Sequence, residues 1–252
     1  MIAFKQNVDL QGSIRDVGFG LLSSILILLI SNAYESRAFI KIWFQSWLKP
    51  SKPVRISMAY FFRIRVNGKY LLIDSHRRPG SGYQPVGGVY KYLPNETSTL
   101  FNSLGIEDIN GIPIDVDSKN DLRCIVKKRK HLPKFIRWFN SKKDRETDPW
   151  REFYEELVAS GILPHNKFPY LQYVHCGCNY EGIKDPDFFT YDEFLYADIF
   201  ELKPDGPEQL GALIALDPPQ SDQIIFATHD EIQNGRTVTG KVILPQTKKI
   251  LT

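Results

Sequence analysis

The chain has 252 residues, of which 42% are hydrophobic and 13% aromatic, so a packed core is available and disorder throughout is excluded. The formal net charge of only +3 argues against a protein that coats duplex nucleic acid, and we expect no duplex partner. Three cysteines are too few for a disulfide scaffold, which favours a reducing compartment.

The first element is an uncharged run rich in Leu and Ile, from Val17 to Tyr34. Its 18 residues would form a helix of about 27 Å, which matches the hydrocarbon layer of a bilayer. We therefore predict a transmembrane helix over 17–34 within an N-terminal segment 1–35. A signal peptide cleaved near 31–33 and a buried core helix are the alternatives. Lys and Arg are more numerous after the run than before it, which predicts a cytoplasmic C-terminal domain.

Residues 36–53 are predicted to form an amphipathic aromatic helix followed by a linker. Apolar side chains recur at helical spacing in two sets: Phe39, Trp43 and Trp47, and Ile40, Phe44 and Leu48. This stripe fits either an interfacial helix at the lipid headgroups or a helix packed on the soluble domain. The proline- and lysine-rich stretch 49–53 ends the helix.

The soluble domain is predicted to occupy 54–252 and to begin with a β-hairpin. The strand-like segments 54–66 and 70–74 are joined by Asn67-Gly68, a typical hairpin turn. A polar, glycine-rich connection follows. The next strand region, 83–92, contains the pair Gly87-Gly88.

Residues 89–147 are predicted to be a long insertion. Its first part, 94–118, is turn-rich, whereas the piece from Lys119 to Glu146 has 11 Lys and Arg residues against three acids. A short helix is expected over 132–141. Such a basic piece could contact anionic headgroups, hold a phosphate-bearing ligand, bind RNA or form a solvated loop. Its proximity to a predicted membrane anchor favours lipid or ligand over nucleic acid.

The clearest predicted helix runs over 150–160, with Asp148 as its cap and Gly161 at its end. Glu152, Glu155 and Glu156 lie at i, i+3 and i+4, which places three carboxylates on one face. Mg²⁺ or another hard cation would relieve their repulsion and could bridge to phosphate oxygens. A solvated charged face of an ordinary helix is the alternative.

The remaining chain is predicted to contain strands over 170–178, 194–202 and 223–227 and a helix over 207–216. Thr228 and Glu231 have the spacing of a capping box, which predicts the start of a last helix. The sequence His175-Cys176-Gly177-Cys178 has zinc-binding residue types, but no further cysteine pair completes four ligands. Plain strand packing is therefore the favoured interpretation of this segment.

The pair Gly87-Gly88, followed by Arg151-Glu152-Phe153-Tyr154-Glu155-Glu156, resembles the Nudix box. This resemblance implies an α+β fold of the Nudix α/β/α sandwich type, with Glu152, Glu155 and Glu156 as metal-binding residues. It also implies that Arg151 pairs within the loop and helix, and that Gly88 is the opening glycine. The chain departs from the family because 62 residues, 89–150, separate Gly88 from Arg151. By spacing, the first glutamate of the box falls on Pro94, with Glu96 as a stand-in.

The order of membrane span, aromatic helix, linker and divergent Nudix domain resembles the transmembrane-Nudix effectors of bacterial CBASS antiphage systems, which carry a SMODS-associated Nudix domain. The resemblance implies a homo-oligomerising inner-membrane protein that binds a cyclic oligonucleotide, disrupts the bilayer and so causes abortive infection. From their location we expect the ligand to contact Arg63, Arg77, Arg78, Tyr83, Gln84, Gly87 and Gly88. Arginine would pair with phosphate and Tyr83 would stack on a base.

Two other function classes stay open. The first is a membrane-tethered, Mg²⁺-dependent Nudix hydrolase of nucleoside diphosphate derivatives, which the three glutamates favour and the stretched loop opposes. The second is a lipid-binding or scaffold protein that uses the basic insertion. In the sensor interpretation no residue is expected to be catalytic.

Overall fold

The computed structural model describes residues 37, 39–75, 79–109, 119–186 and 190–251. The predicted transmembrane helix over 17–34 and two predicted ligand residues, Arg77 and Arg78, lie outside this part of the chain. Among the described residues, no helix is both long and apolar enough to cross a membrane.

The first described elements are a helix and five strands, and they confirm the predicted hairpin. They are α1 (residues 39–48), β1 (Val54–Arg63), β2 (Arg65–Val66), β3 (Lys69–Asp74), β4 (Tyr83–Gln84) and β5 (Gly87–Val89). The turn between β2 and β3 has positive φ angles at both central residues, 50° at Asn67 and 77° at Gly68. This is the backbone that a tight two-residue hairpin requires.

The predicted insertion is part of the sheet and not an appendage. It contains α2 (Pro94–Leu104), β6 (Ile106–Asp108), β7 (Arg123–Val126), a 3-10 turn (Arg129–His131) and α3 (Leu132–Asn140). The helix over 132–141 is thus confirmed, but the turn-rich interpretation of 94–118 is wrong for its first part. Pro94 lies in the first turn of α2, where its missing N–H has no intrahelical partner to lose.

The elements that follow carry the Nudix-like helix and the C-terminal layers. They are α4 (Trp150–Phe153), a π-helical turn (Tyr154–Val158), a 3-10 turn (His165–Lys167), β8 (Gln172–Lys184), β9 (Asp192–Lys203), α5 (Gly206–Ile214), β10 (Ile224–Ala227), α6 (His229–Asn234) and a 3-10 helix (Pro245–Leu251). The capping box predicted at the start of α6 is present, because Thr228 and Glu231 exchange both capping hydrogen bonds.

Strand β1 is the centre of the main sheet. The strand order is β6-β7-β1-β9-β8, and β5 also pairs with β1. Strands β1 and β9 are parallel over ten residue pairs, from Val54 opposite Asp192 to Arg63 opposite Glu201. At a rise of about 3.3 Å per residue, β1 therefore spans roughly 30 Å and separates two ends of the domain.

Apolar clusters cover both faces of the main sheet. One face carries Tyr60 and Phe62, which pack in the large core with Phe139 of α3 and Phe153 of α4. The other face carries Phe61, which packs against the second sheet and α6. That second sheet has the order β10-β3-β2, with β4 paired to β3. The result is a mixed α+β domain with helices on one face of the main sheet and a second sheet on the other.

Helix α1 packs on the soluble domain through one of its sides only. Ile42 is 1% exposed and belongs to the large core, so one side of the helix packs on the domain. Gln45 adds two hydrogen bonds to the backbone of Ile183, at 3.0 and 3.3 Å. The opposite side of the helix keeps Trp43 and Trp47 exposed.

Candidate functional site

The pair Gly87-Gly88 lies directly against the helix that carries the predicted metal-binding glutamates. The backbone N–H of Gly87 donates a hydrogen bond to Oε2 of Glu156 at 2.9 Å. A Cβ on Gly88 would lie 2.0 Å from Oε1 of Glu152, and a Cβ on Gly87 would lie 2.2 Å from the backbone oxygen of Tyr60. Only glycine therefore allows strand β5 to approach both β1 and the helix so closely.

The glutamate-bearing helix starts as predicted but does not stay α-helical. Oδ1 of Asp148 accepts a hydrogen bond from the backbone N of Trp150 at 2.8 Å, but the N-cap is Pro149, one residue later than predicted. From Tyr154 the helix is π-helical, and the N–H of Ala159 donates to the carbonyl of Tyr154, five residues earlier. A regular α-helix over 150–160 is thus wrong. Single π-turns of this kind are frequent at functional sites.

The three predicted glutamates differ in exposure. Glu156 is buried against β5, with 6% of the residue exposed. The side chain of Glu152 is 17% exposed, whereas that of Glu155 is 55% exposed and points towards solvent. The i, i+3, i+4 spacing predicts one common face, but the three carboxylates are not in the same environment. Glu152 and Glu156 lie against β5, whereas Glu155 lies at the surface.

Arg151 is the countercharge of this cluster. Its guanidinium contacts Oε1 of Glu152 at 2.7 Å and Oε2 of Glu155 at 3.3 Å. It also donates to the carbonyl of Val89 at 3.2 Å, which connects the helix to the end of β5. The pairing role that the Nudix resemblance implies for Arg151 matches these contacts.

A fourth carboxylate, Glu146, joins the cluster and was not predicted. Its Oε1 accepts from Nε of Arg151 at 2.9 Å, and its Oε2 accepts from the backbone N of Lys91 at 3.2 Å. In the sequence Glu146 counts only as one of three acids in a basic piece. Its position five residues before Arg151 was the signal that could have revealed it. Glu96, the stand-in for the first box glutamate, is exposed in the first turn of α2.

The electrostatics of the cluster follow from four carboxylates around one guanidinium. Burial raises the pKa of Glu156 well above its ordinary value, and the charge of Glu152 raises it further. Burial also raises the pKa of Glu155. Tyr60 is fully buried beside the cluster, and burial together with the charges of Glu146 and Glu152 raises the pKa of its hydroxyl. A further positive charge at this position would be favourable.

Carboxylate oxygens are suitable ligands for Mg²⁺, but here they are divided among several partners. Arg151 binds Glu152 and Glu155, and the Gly87 amide binds Glu156. Over the described ranges, no group of three or more His, Cys, Asp or Glu side chains is arranged to hold a metal ion.

A second polar group extends the cluster across the same face of the sheet. The buried carboxylate of Asp198 accepts hydrogen bonds from the hydroxyl of Tyr90 at 2.7 Å and from that of Tyr196 at 2.8 Å. Nε2 of His175 lies 2.7 Å from the same carboxylate, and the His175 side chain is 51% exposed. Tyr60 and Tyr90 are in ring contact at 4.8 Å, so polar groups continue from Glu152 to the surface at His175.

The segment 175–178, which has zinc-binding residue types, forms part of β8 as the favoured interpretation expected. A β-bulge lies between His175 and Gly177 and interrupts the alternation of the strand. Cys176 is exposed and Cys178 is half-buried.

The other predicted ligand residues that the structure describes are Arg63, Tyr83 and Gln84. They lie near the Arg63 end of β1, and each forms a hydrogen bond within the protein. Nε of Arg63 donates to the carbonyl of Ile250 at 2.7 Å, and its Nη1 lies 3.6 Å from Glu201. The hydroxyl of Tyr83 donates to the carbonyl of Asp222 at 2.7 Å. Gln84 accepts from Gln246 at 2.9 Å. These three residues contact the C-terminal part of the chain, whereas Gly87 and Gly88 contact the glutamate helix.

A family model described as the SMODS-associated NUDIX domain matches residues 53–251. No curated protein and no solved structure matches the chain. The matched range begins immediately before β1 and includes the whole insertion as well as the glutamate helix.

Alanine substitutions at Gly87 and Gly88 test two different contacts, because a methyl group at Gly88 meets a side chain and one at Gly87 meets backbone. In Gly88→Ala the new methyl meets the flexible end of Glu152, so we expect a cost of about 1–3 kcal/mol and loss of the Arg151–Glu152 contact. In Gly87→Ala the methyl meets the backbone of Tyr60, which cannot move aside, so the loss of stability is larger. Thermal unfolding of the full chain in detergent measures both, and a lower melting temperature for Gly88→Ala than for Gly87→Ala would contradict this packing.

The raised pKa of Glu156 predicts a pH-dependent gain in stability for Glu156→Gln. At acid pH the wild-type carboxyl is protonated, so the neutral amide changes little. Above the ordinary pKa of glutamate, the carboxyl ionises in the unfolded chain but stays protonated in the folded one, so the stability of wild type falls until the pH passes the raised pKa. The variant has no carboxyl at this position and does not lose stability in this way. We expect the variant to melt higher at pH 8, by about 2–4 °C for each kcal/mol relieved, and the difference to shrink towards pH 4.

The matched control for that experiment is Glu208→Gln, because Glu208 is exposed in the first turn of α5. This variant should follow wild type at every pH. A difference between Glu156→Gln and wild type that is constant across the pH range would show that burial of the charge is not its cause.

Proposed function

The chain belongs to the SMODS-associated NUDIX domain family, and from this membership we propose that it is a membrane effector of a bacterial CBASS antiphage system. Its Nudix-like domain, a mixed α+β fold in which the basic insertion joins the main sheet, binds a cyclic oligonucleotide second messenger. Binding drives homo-oligomerisation, and the N-terminal segment then disrupts the inner membrane, which leads to abortive infection. The match over residues 53–251 is the observation that carries this proposal.

The geometry around the glycine pair supports ligand binding over catalysis. Arg151 pairs with Glu152 and Glu155, and the amide of Gly87 binds Glu156. Glu152 and Glu156 also lie against β5, so both already stabilise the contact between strand and helix. Carboxylates used in this way position the backbone of β5. The predicted ligand contacts at Arg63, Arg77, Arg78, Tyr83 and Gln84 belong to this proposal.

The membrane part of the proposal rests on the uncharged run 17–34 and on the side chains that follow it. The run is directly succeeded by α1, whose outer face carries Ile40, Phe44 and Leu48 at 59–66% exposure. A single-pass anchor in the inner membrane with a cytoplasmic domain is consistent with the excess of Lys and Arg after the run. The ligand can drive assembly only if it binds the assembled state more tightly than the free chain.

The second candidate is a membrane-tethered Nudix hydrolase of nucleoside diphosphate derivatives. The geometry of the cluster favours it, because four carboxylates lie around the single guanidinium of Arg151 and this excess of negative charge would attract a divalent cation. Mg²⁺ held by Glu152, Glu155 and Glu156 would supply an activated water at neutral pH.

Recovery of the ligand distinguishes the two functions. The full chain in detergent is incubated with cyclic dinucleotides and trinucleotides, with and without Mg²⁺, and the bound fraction is analysed by mass spectrometry. We expect one of these ligands to bind and to be recovered intact, irrespective of Mg²⁺. Linear or monophosphate products that require Mg²⁺, and that disappear in Glu155→Gln but not in the exposed control Glu208→Gln, would establish the hydrolase instead.

The effector step has its own readout. Addition of the bound ligand to the full chain in dye-loaded liposomes should increase its oligomer size and release the dye. A ligand that binds while the chain stays monomeric and the liposomes stay sealed would contradict the effector mechanism.

A further inference from the structure

The outer face of helix α1 is an apolar surface held in a fixed orientation. Its side chains follow the spacing i, i+3, i+4, i+7, i+8 and are 47–66% exposed: Ile40, Trp43, Phe44, Trp47 and Leu48. The rings of Trp43 and Trp47 are in contact at 5.9 Å. Scattered apolar residues are normal on a surface, but a continuous stripe of this size marks an interaction site.

The inner face of α1 determines where that surface points. Ile42 is 1% exposed and Ser46 is 0% exposed, and the hydroxyl of Ser46 donates to the carbonyl of Ile42 at 2.7 Å. Oε1 of Gln45 accepts from the backbone N of Ile183 at 3.0 Å, and a Cβ on Gly182 would lie 2.7 Å from the same oxygen. Because the helix is attached to the end of β8, its outer face is displayed by the folded domain.

Basic residues from two distant parts of the chain lie next to this face. The linker that follows α1 is paired by its backbone with the basic turn of the insertion. Arg129 N donates to Lys52 O at 2.8 Å, and Lys130 N donates to Pro50 O at 3.2 Å. Lys49, Lys52, Lys128 and Lys130 are all exposed there, and among the described residues none of the four has an ion-pair partner.

Three acidic residues at this end of the sheet are paired with basic side chains. Asp192 pairs with Arg129, and Glu193 pairs with Arg55 at 2.6 Å. Glu107 pairs with Lys127. The four exposed lysines outnumber Asp108 and Asp185, the exposed acids there that have no ion pair among the described residues, so the edge of the apolar face carries a net positive charge.

We propose that this combined surface, the outer face of α1 with the lysines of 49–52 and 128–130, docks the folded domain on an anionic phospholipid surface. The aromatic rings enter the headgroup zone and the lysines bind lipid phosphates, each contributing attraction near a negatively charged leaflet. The proposal rests on the membrane location proposed above, because the run 17–34 ends only a few residues before α1. It adds a second, headgroup-specific contact that the anchor alone does not make.

Charge complementarity selects lipid over a second copy of the chain. In a two-fold interface the same surface meets itself, so the lysines of both copies would border one contact. Like charges at such a contact are repelled, whereas an anionic leaflet attracts all four. The docking surface lies at the Val54 end of β1, about 20 Å from Tyr60 and the glycine pair, so it is distinct from the ligand site.

The test uses tryptophan quenching by brominated lipid. The full chain is placed in nanodiscs of phosphatidylcholine alone or with phosphatidylglycerol, each with and without brominated acyl chains. We expect quenching of Trp43 and Trp47 that increases with phosphatidylglycerol. Lys128→Glu with Lys130→Glu should lower the ratio of docked to undocked domain by at least about 30-fold. Loss of two basic residues at roughly 1 kcal/mol each accounts for about 30-fold, and the new negative charges are repelled in addition.

The matched control reverses two exposed charges at the other side of the domain, Arg236→Glu with Lys248→Glu, and should leave quenching unchanged. Trp43→Phe with Trp47→Phe should abolish the lipid-dependent signal. Equal quenching in the two lipid mixtures, or equal effects of the two charge reversals, overturns the docking proposal. So does a tryptophan signal that follows protein concentration in lipid-free detergent, because the face would then join two copies.

Failure of the anchor has a different signature. A chain that docks on discs with phosphatidylglycerol but leaves pure phosphatidylcholine discs supports the docking surface and contradicts the predicted membrane span. A chain that is retained in both discs without lipid-specific quenching supports the span and contradicts the docking surface.

Discussion

Strand β5 and the glutamate helix can be in contact only because Gly87 and Gly88 have no side chains. The resulting space is filled by the carboxylate of Glu152 and by a hydrogen bond from the Gly87 amide to Glu156. This close packing brings negative charge into a partly dry region, where charged forms are disfavoured. Arg151 stabilises this negative charge. It pairs with Glu152 and Glu155 of its own helix and with Glu146, and it also donates to the carbonyl at the end of β5.

Strand β1 connects the glutamate cluster to the rest of the domain, because it pairs with both β5 and β7. Tyr60 is opposite Gly88 in the β1–β5 pair, and the beginning of the same strand pairs with β7 of the insertion. The insertion thus extends the sheet at the end where α1 and the basic turn meet. The ligand site and the docking surface that we propose are consequently two positions on one continuous strand, held apart by the sheet itself.

Much of the fold was predictable from local pattern. Asn67-Gly68 and the capping box of Thr228 were found because their backbone geometry requires particular residues. The helix start at Trp150 followed from the same logic. The pair Gly87-Gly88 was correctly associated with the glutamate helix through the Nudix resemblance, although the two lie far apart in sequence.

The features that the sequence did not predict share one physical reason: they depend on contacts between segments that are far apart in the chain. Helix α2 lacks a strong apolar period, and its Phe101 is buried by the rings of Tyr92 and of Phe135 and Trp138 in α3. The π-turn depends on how Glu156 meets β5, and Glu146 meets the backbone of Lys91 only after the insertion folds back. The bonds of Arg63 to Ile250 and Glu201 likewise depend on segments distant in sequence, and its role as a ligand residue stays a prediction.

Hydrogen exchange of the full chain with and without a cyclic oligonucleotide tests the central claim most directly. If the ligand is held by the glycine pair and the glutamate helix, amides of 86–90 and 150–158 become protected on binding, while those of α5 do not change. Protection confined to other parts of the chain, with 86–90 and 150–158 unaffected, would contradict the account.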